Sequence, residues 1–333
     1  MAGTIRYLNA ADVIAAMPPI AERLVLAERT MTALVSDAEL PSKIGVHPRP
    51  AGSFAHAMPA SLLPQATADG AADLLGIKWV SGFPGNRDLG FPAIHALVVL
   101  SDPSTGEPRA ILDGGPITAE RTAAVSGVAL ARPGPSNLGR PVRVTVIGAG
   151  VQGRSHLAIL GHLLPGLELT IADRHLERAR QLAEIASSTP GVVTAHAVDD
   201  PRAATLESDV VISAASFTEP ARRQAMDGTW LGPDALVVAV DYATMCAASV
   251  ARDAALFLVD ERGQFTANRD DGQFDGYPDP TATLGEAILA GTTRPARGRV
   301  VVTHLGVGLA DVIFAAAILE RAEAEDLGTL LQR

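Results

Sequence analysis

Two patterns of hydrophobic and polar residues follow one another along this chain. Up to residue 112, short apolar runs separated by turn residues predict an antiparallel or mixed sheet. The predicted strands are 5–8, 43–46, 53–58, 75–80, 94–101 and 108–112, and the tight turn at 102–106 joins the last two as a hairpin. From residue 142 onward, apolar runs rich in β-branched residues alternate with helical spacing, which predicts an α/β fold with a doubly wound parallel sheet.

The predicted helices flank these strands. Asn9 is a good N-cap for a first helix that Pro18 and Pro19 interrupt or end, and residues 20–35 continue it or form a second one. Thr118 can cap a helix that runs to residue 131. The later half predicts helices at 156–164, 176–186, 284–289 and 309–325 among strands at 142–147, 168–171, 192–196, 209–214, 235–240, 256–259 and 299–303. The Gly- and Asp-rich residues 261–280 are expected to form a surface excursion.

A glycine-rich loop follows the first strand of the second pattern. Gly148, Gly150 and Gly153 have the spacing G-x-G-x-x-G. The first glycine allows a tight turn, the second lets a pyrophosphate approach the backbone, and the third lets the helix lie close to the sheet. Asp173 comes twenty residues after Gly153, where a carboxylate can bind both ribose hydroxyls, and this favours NAD over NADP. The neighbouring Arg174 could instead accept a 2′-phosphate. The alternative is a glycine-rich turn without a nucleotide.

Composition narrows the possible functions. A length of 333 residues suits two domains, and a net charge of −10 argues against nucleic acid or an anionic membrane surface as partner. The longest apolar runs fall short of the ~20 residues of a membrane span, and the N-terminus lacks a secretory pattern, so we expect a cytoplasmic protein. Cys246 is the only cysteine, which excludes an internal disulfide and a cysteine metal site. We interpret it as a small buried residue rather than a reactive thiol, and we predict no metal.

Several stretches together carry a family resemblance. They are Met58-Pro-Ala60, residues 76–86 (GIKWVSGFPGN), residues 117–124 (ITAERTAA), the loop GAGVQG and residues 305–311 (LGVGLAD). In this order they resemble the ornithine cyclodeaminase/μ-crystallin family over nearly the whole chain. The resemblance implies a split substrate-binding domain that also forms a homodimer, here 1–131 with 299–333, and a Rossmann domain at 132–298. It also implies chemistry on C–N bonds at the α-carbon of a small amino or imino acid.

Two cations are the first candidates for the substrate site. Lys78 lies in an otherwise apolar strand, so it either reaches the surface or lines a cleft. The resemblance assigns it to the substrate pocket, where it would hold the carboxylate and could transfer a proton, helped by a pKa that desolvation lowers. Arg121 would lie in the first turn of the helix capped by Thr118, where a cation opposes the helix dipole unless an anionic ligand is present. Alternatively, Arg121 pairs with Glu120 or with a surface acid.

The chain departs from the ornithine-specific pattern near Met58. Ornithine enzymes resemble one another in a glutamate that precedes this position and suits a distal amine, whereas this chain has His56. Lys43 stands where many relatives have an arginine for the α-carboxylate. With Met58, these two residues complete the predicted substrate-binding set, which fits a neutral or carboxylate side chain better than a diamine. His56 as an ordinary polar strand residue is an open alternative.

A third departure follows the predicted strand 235–240. Relatives resemble Val-Gly-x-Asp there, whereas this chain has Ala239-Val240-Asp241-Tyr242-Ala243. Asp241, at the carboxyl end of a parallel strand, could stabilise an iminium cation or deliver a proton, and it is the second predicted catalytic residue beside Lys78. Alternatively it caps the next helix. His304 and Asp311 are secondary candidates. The predicted cofactor-binding set further includes Thr122, Val151, Gln152, Ser213, Ala214 and Val240.

These residues together favour an NAD-dependent imine (ketimine) reductase or amino-acid dehydrogenase. Hydride would pass to the α-carbon of a C=N bond, while Arg121, Lys43 and Lys78 would fix the carboxylate and Asp241 would balance charge on nitrogen. One alternative is a cyclodeaminase that releases ammonia with catalytic NAD⁺. Another is a protein that binds a nucleotide and a small ligand without turnover.

Overall fold

The computed structural model describes residues 3–64, 72–135 and 138–333, which divide into two compact units. The first unit comprises residues 1–121 and 306–333, and the second comprises residues 122–305. The predicted domain boundaries fall between residues 131 and 132 and between residues 298 and 299. The boundaries of the two units fall instead inside a helix, between residues 121 and 122, and after a strand, between residues 305 and 306. Residues 136 and 137, near the start of the predicted Rossmann domain, lie outside the described residues.

The secondary structure follows the two patterns of the sequence. The chain begins with β1 (Thr4–Leu8), α1 (Ala10–Ala15), α2 (Ile20–Ser36), β2 (Ala38–Glu39), β3 (Ile44–Val46), β4 (Phe54–Leu62), β5 (Leu74–Gly82), β6 (Ile94–Ser101), β7 (Pro108–Asp113) and α3 (Gly114–Ala131). It continues with β8 (Arg143–Ile147), α4 (Val151–Leu163), β9 (Leu167–Ala172), α5 (Leu176–Ser187), β10 (Val192–Val198), α6 (Pro201–Thr205), β11 (Val210–Ser213), β12 (Leu236–Ala239), α7 (Ala248–Arg252), β13 (Leu256–Val259), α8 (Arg262–Asp270), β14 (Ala282–Thr283), α9 (Leu284–Leu289), β15 (Val300–Thr303), α10 (Gly308–Ala324) and β16 (Thr329–Gln332). Short 3₁₀ helices lie at Pro84–Leu89, Pro220–Arg222 and Gly228–Trp230.

The first unit is built on a mixed sheet. Its strands are ordered β16-β1-β7-β6-β5-β4-β2, with β3 on β4, and the β1–β7 pair is parallel whereas the other pairs are antiparallel. The predicted hairpin is β6–β7. Asn9 caps α1 through a capping box, and α2 is a separate helix after Pro18 and Pro19. The apolar helix α10 packs across β4, β5 and β6, so one face of the sheet is buried beneath it.

The second unit is a doubly wound parallel sheet, which confirms the predicted fold class. Its strands are ordered β10-β9-β8-β11-β12-β15-β13-β14, and every pair is parallel. The order reverses between β8 and β11, where open α/β sheets bind ligands at the carboxyl ends of their strands. β11, β12, β13 and β15 are buried along their whole length, as their continuous β-branched runs require.

The predicted start of α3 is wrong. The helix begins at Gly114 because Asp113 accepts the backbone N–H of Gly115 at 2.8 Å, and Pro116 is tolerated in a first turn. Thr118 therefore lies inside the helix and does not cap it. Arg121 consequently lies beyond the first turn.

The predicted surface excursion at 261–280 is also wrong. This stretch contains α8, and its aromatic residues Phe265, Phe274 and Tyr277 are buried in the core of the second unit. Three large aromatic side chains can bury enough apolar area to outweigh the polar composition around them. Among the described residues, no helix has the length and apolar character that a membrane crossing requires.

Candidate functional site

Lys78 is a buried cation at the centre of the first sheet. It lies on β5 between β4 and β6, is 2% exposed, and points to the face that α10 covers. Its Nζ atom lies 2.6 Å from Oδ2 of Asp311, which is itself completely buried on α10. The alternative in which Lys78 reaches the surface is therefore wrong, and its partner is the secondary candidate Asp311.

Arg121 belongs to the same cluster of charges. Its Nε donates to Oδ1 of Asp311 at 3.2 Å, whereas Glu120 pairs with Arg23. A Cβ atom on Gly306 would lie 2.3 Å from Nη1 of Arg121, and Gly306 has φ +79°. Only glycine fits there, because the site needs both a left-handed backbone and room for the guanidinium. The helix-dipole argument for Arg121 does not apply, since the dipole effect fades after the first turn.

The cluster contains two cations for one carboxylate. Burial lowers the pKa of Lys78 to about 7, an effect that Asp311 opposes and that Arg121 and Lys43 reinforce. Lys78 can therefore gain or lose a proton near neutral pH, which an arginine could not do. A buried cluster with surplus positive charge is stabilised by an anionic ligand.

The remaining predicted substrate residues border Lys78 in the first unit. Met58 is buried directly opposite Lys78 on β4, and a Cβ on Gly308 would lie 2.5 Å from its carbonyl oxygen. His56 pairs with Gly45 and stacks on Phe54, with ring centroids 4.6 Å apart. Burial, together with the charges of Lys43, His47 and Lys78, lowers the pKa of His56 to about 4. Lys43, just before β3, lies within Coulombic reach of His56 and Lys78.

The glycine loop in the second unit has the geometry that a dinucleotide needs. Gly148 has φ +107°, and a Cβ there would lie 2.3 Å from the carbonyl oxygen of Ala214. A Cβ on Gly153 would lie 2.1 Å from the carbonyl oxygen of Gly148, so the helix packs closely on the loop. Gly150, by contrast, borders open space and precedes the first residue of α4. The backbone there is open to a phosphate at the start of a helix.

The residues around this loop are arranged as follows. Asp173 accepts the backbone N–H groups of Ala149 and His175, both at 2.8 Å, while Arg174 is exposed. Val151 is exposed, and the Oε1 atom of Gln152 is buried without a hydrogen-bond partner in the described part of the chain. Ser213, Ala214 and Val240 line the carboxyl ends of β11 and β12, and Thr122 is buried in α3.

Asp241 lies at the carboxyl end of β12 and is 2% exposed. Its carboxylate accepts the hydroxyl of Ser213 at 3.0 Å and the backbone N–H of Ala215 at 3.1 Å. Burial raises its pKa to about 7, although these hydrogen bonds oppose the rise. The alternative role as a helix cap is wrong, because α7 begins at Ala248 with Ala247 as its N-cap.

A buried hydrogen-bond chain, which sequence reasoning missed, runs through the same unit. Ser126 Oγ lies 2.8 Å from Nε2 of His156 and 2.9 Å from Nε2 of His304, and Nδ1 of His156 lies 2.6 Å from the carbonyl oxygen of Gln152. That carbonyl can only accept, so Nδ1 of His156 carries the proton and its Nε2 accepts from Ser126. Ser126 then accepts from Nε2 of His304. Burial keeps His156 neutral by lowering its pKa to about 4.

The sequence contained a partial signal for this chain. His156 follows Gln152 by one helical turn, and Ser126 lies in the apolar helix α3, but nothing local relates them to His304. Among the described residues, no group of three or more histidine, cysteine, aspartate or glutamate side chains could hold a metal ion.

Comparisons with known proteins show a family match over nearly the whole chain. Residues 13–326 match the model of the ornithine cyclodeaminase/mu-crystallin family. The chain is 32% identical to the nodulation efficiency protein NfeD of Rhizobium meliloti over 99% of both chains, and 31% identical to mouse ketimine reductase mu-crystallin over 75% of this chain and 77% of that one. Its fold is similar to the Thermococcus litoralis Delta(1)-pyrroline-2-carboxylate reductase solved with NADH and L-proline, with a TM-score of 0.81 and 26% identity over 98% of this chain and 99% of that chain.

Proposed function

The chain belongs to the ornithine cyclodeaminase/mu-crystallin family, and from this premise we propose that it is an NAD-dependent oxidoreductase that interconverts the imine of a small 2-oxo acid and the corresponding amino acid. The observation that carries this proposal is the buried cluster of Lys78, Arg121 and Asp311. A surplus positive charge in a buried site suits the carboxylate shared by these substrates.

The first unit binds the substrate. Arg121 and Lys43 hold its carboxylate, and Met58 and His56 border its side chain. Lys78 is close enough to neutrality at pH 7 to hold the carboxylate when protonated and to give up a proton during the reaction. Asp311 keeps Lys78 and Arg121 in fixed positions through its two oxygens.

The second unit binds the cofactor. Support for NAD comes from the open backbone at Gly150, the close approach at Gly153, and the carboxylate of Asp173 after β9. When bound, NADH supplies hydride to the carbon of the C=N bond. Asp241 balances positive charge on the substrate nitrogen or donates a proton to it, and its pKa of about 7 suits either role.

The reaction can be tested with purified protein, NADH, and 2-oxo acids mixed with ammonia or methylamine, together with cyclic imino acids. A reductase consumes NADH in proportion to imine reduced. A cyclodeaminase would instead release ammonia from a diamino acid with only catalytic NAD⁺, and a binding protein would do neither. Either of the last two results would overturn the proposal.

Two substitutions test the assignment of the cations. We expect Lys78→Ala and Arg121→Ala to abolish turnover while NADH binding, measured by fluorescence titration, stays nearly unchanged. Arg109→Ala is the matched control, because Arg109 is an exposed residue of the same unit. An equal loss of NADH affinity in both site variants would contradict their assignment to the substrate.

Cofactor preference tests Asp173. We expect kcat/KM to be higher with NADH than with NADPH, because a carboxylate near the ribose repels a 2′-phosphate. The opposite ratio would show that Arg174 determines the preference.

A homodimer is the proposed assembly. The face of the first sheet opposite Lys78 carries exposed apolar side chains, including Trp79 and its cross-strand neighbour Leu97, which are 48% and 42% exposed. A second copy would bury this surface. We expect light scattering to give twice the chain mass, and Trp79→Glu to shift the protein toward monomer. A monomeric wild-type protein would contradict this part of the proposal.

A further inference from the structure

Two residues with an unfavourable backbone conformation lie beside Asp241. Among the described residues, φ is positive at three residues other than glycine, and two of these are Gln224 (φ +61°) and Tyr242 (φ +59°). The N–H of Gln224 donates to the carbonyl oxygens of Ala243 and Thr244, at 3.1 and 3.0 Å. Residues with a Cβ atom rarely adopt this conformation, and such positions cluster at functional sites. The loop that follows Asp241 is therefore a place to look for a function that its strain serves.

Tyr242 occupies the most demanding position of a tight turn. The N–H of Thr244 donates to the carbonyl oxygen of Asp241 at 3.1 Å, so residues 241–244 form a β-turn with Tyr242 as its second residue. Of the two central residues only Tyr242 has a positive φ, which is the pattern of a type II′ turn. Glycine is the usual residue at that position. Tyrosine does not favour this turn by itself, so the turn depends on interactions with the rest of the fold.

The ring of Tyr242 contacts two phenylalanine rings. It meets Phe217 edge to face with the centroids 5.2 Å apart, and it stacks on Phe274 with the centroids 5.9 Å apart. Phe274 is completely buried and packs in turn against Phe265 and Tyr277, with centroid distances of 5.0 and 5.2 Å. Aromatic pairs in such arrangements stabilise a fold beyond the area that they bury. The aromatic core of the second unit thus anchors the side chain whose backbone is strained.

The same turn determines where the carboxyl group of Asp241 lies. That carboxyl accepts the backbone N–H of Ala215 at 3.1 Å and also the backbone N–H of Met245, the residue directly after the turn. Phe217 belongs to the loop after β11 that provides the N–H of Ala215, so the contact of its ring with Tyr242 joins this loop to the turn. A turn of another type would redirect the chain after Asp241 and remove the N–H of Met245 from its carboxyl.

This inference rests on the proposed function, because it concerns the group that would act on the substrate nitrogen. We propose that Tyr242 is a positioning residue for the reaction: its ring, anchored by Phe217 and Phe274, maintains the strained turn that fixes the carboxyl of Asp241 at the end of β12. Tyr242 acts only through Asp241. Glycine can replace it in part, because glycine adopts the left-handed backbone without support from a side chain.

The kinetic experiment compares three substitutions at residue 242 in the reduction of 2-oxo acids with ammonia and NADH. Tyr242→Ala loses the ring contacts and keeps the strain, so we expect kcat to fall at least tenfold while KM for the 2-oxo acid changes less than threefold. Tyr242→Phe keeps both ring contacts and Tyr242→Gly adopts the backbone freely, so we expect kcat of each to stay within threefold of the wild type. A wild-type kcat in the alanine variant, or a kcat in either of the others as low as in alanine, would overturn the inference. Absence of turnover by the wild type would refute the proposed function instead.

A measurement of stability tests the position of Asp241 without turnover. Burial raises the pKa of Asp241 to about 7, whereas its titratable neighbours Cys246 and Tyr277 keep their protons well above neutral pH, because burial raises their pKa values as well. Unfolding in urea at pH 5 and pH 8, with and without Asp241→Asn, isolates the part of the pH dependence that is due to Asp241. We expect this part to fall by at least half in Tyr242→Ala, because a loosened turn admits water to the carboxyl, and to be unchanged in Tyr242→Phe. An unchanged value in the alanine variant would contradict the inference.

Phe217 provides a variant that leaves the core of the second unit intact, since its side chain is 60% exposed. Phe217→Ala removes one of the two ring contacts, and we expect kcat to fall about three- to tenfold and the contribution of Asp241 to the pH dependence to become smaller. Leu289→Ala is the matched control, because it shortens an apolar side chain of the same unit that is 62% exposed, and it should behave as the wild type. If the two variants behave alike in both measurements, the aromatic contact does not support the turn and the inference fails.

Discussion

The two units of this protein bury polar groups in different ways. In the first unit, Lys78 and Arg121 each pair with a carboxylate oxygen of Asp311. In the second unit, Asp241 has a pKa near 7, and His156 is held neutral in a hydrogen-bond chain. In the first unit, buried cations are compensated by a carboxylate close to them. In the second unit, the neutral protonation state of a buried group removes the need for a counter-charge. Removing one group should therefore leave an unpaired charge in the first unit but mainly an unsatisfied hydrogen bond in the second.

The largest effect is expected at Asp311. Replacing it with asparagine keeps the shape but leaves the positive charges of Lys78 and Arg121 buried without a carboxylate. We expect the free energy of unfolding, measured in urea, to fall by about 3–5 kcal/mol and turnover to be lost.

The control for Asp311→Asn is Glu120→Gln, which breaks the partly exposed pair with Arg23. Because that pair is nearer solvent, we expect its loss to cost only about 1 kcal/mol. Equal losses in the two variants would show that Asp311 does not act as a charge partner, and would remove the contrast between the units.

Asp241 provides the next test, through pH. Its folded pKa of about 7 exceeds the ordinary value of 3.8, so the folded state binds more protons between these values and Asp241 makes the protein less stable as pH rises through this window. Asp241→Asn removes this pH-dependent contribution to the free energy of unfolding. We therefore expect the wild type to lose stability relative to the variant between pH 4 and 8 by at most about 4 kcal/mol, at about 1.36 kcal/mol per pH unit.

Thermal unfolding of both proteins at each pH measures this difference directly. His156 acts in the opposite direction, because its pKa is lowered to about 4, but it is present in both proteins and cancels in the comparison. A constant difference between wild type and variant across the pH range would show that Asp241 is not buried with a raised pKa.

How much of the structure could be predicted from the sequence depends on how far apart the interacting residues are along the chain. The folds of both units could be predicted from local patterns, because the residues of a buried parallel strand or of a hairpin carry a pattern that predicts that element. The three glycine positions were also predictable, since each depends on one turn between β8 and α4. The start of α3 could not be predicted, because both Asp113 and Thr118 are residues that can cap a helix. In the structure Asp113 accepts the backbone N–H of Gly115, so the helix begins before Thr118.

The partners of the candidate residues could not be predicted, because they are distant in sequence. Lys78 clearly needed a partner, but nothing near it indicates that this is Asp311, which lies on the last helix. The burial of the aromatic residues in 261–280 could not be predicted either, because polar residues surround them in the sequence. A local pattern thus identified Lys78 as a residue that needs a partner, and only the folded structure shows which residue that partner is.

The smallest effect is expected at Ser126, which joins His156 to His304. Ser126→Ala leaves one acceptor on His156 and one donor on His304 unsatisfied, so we expect the free energy of unfolding to fall by about 1–3 kcal/mol. Unlike the Asp311 variant, it should retain turnover, since no buried charge loses its partner. Ser126→Cys is the matched control, because a thiol of similar size is a weak donor and should restore part of the lost stability. If Ser126→Ala is as damaging as Asp311→Asn, the second unit depends on its buried polar groups as strongly as the first, and the contrast drawn between them is wrong.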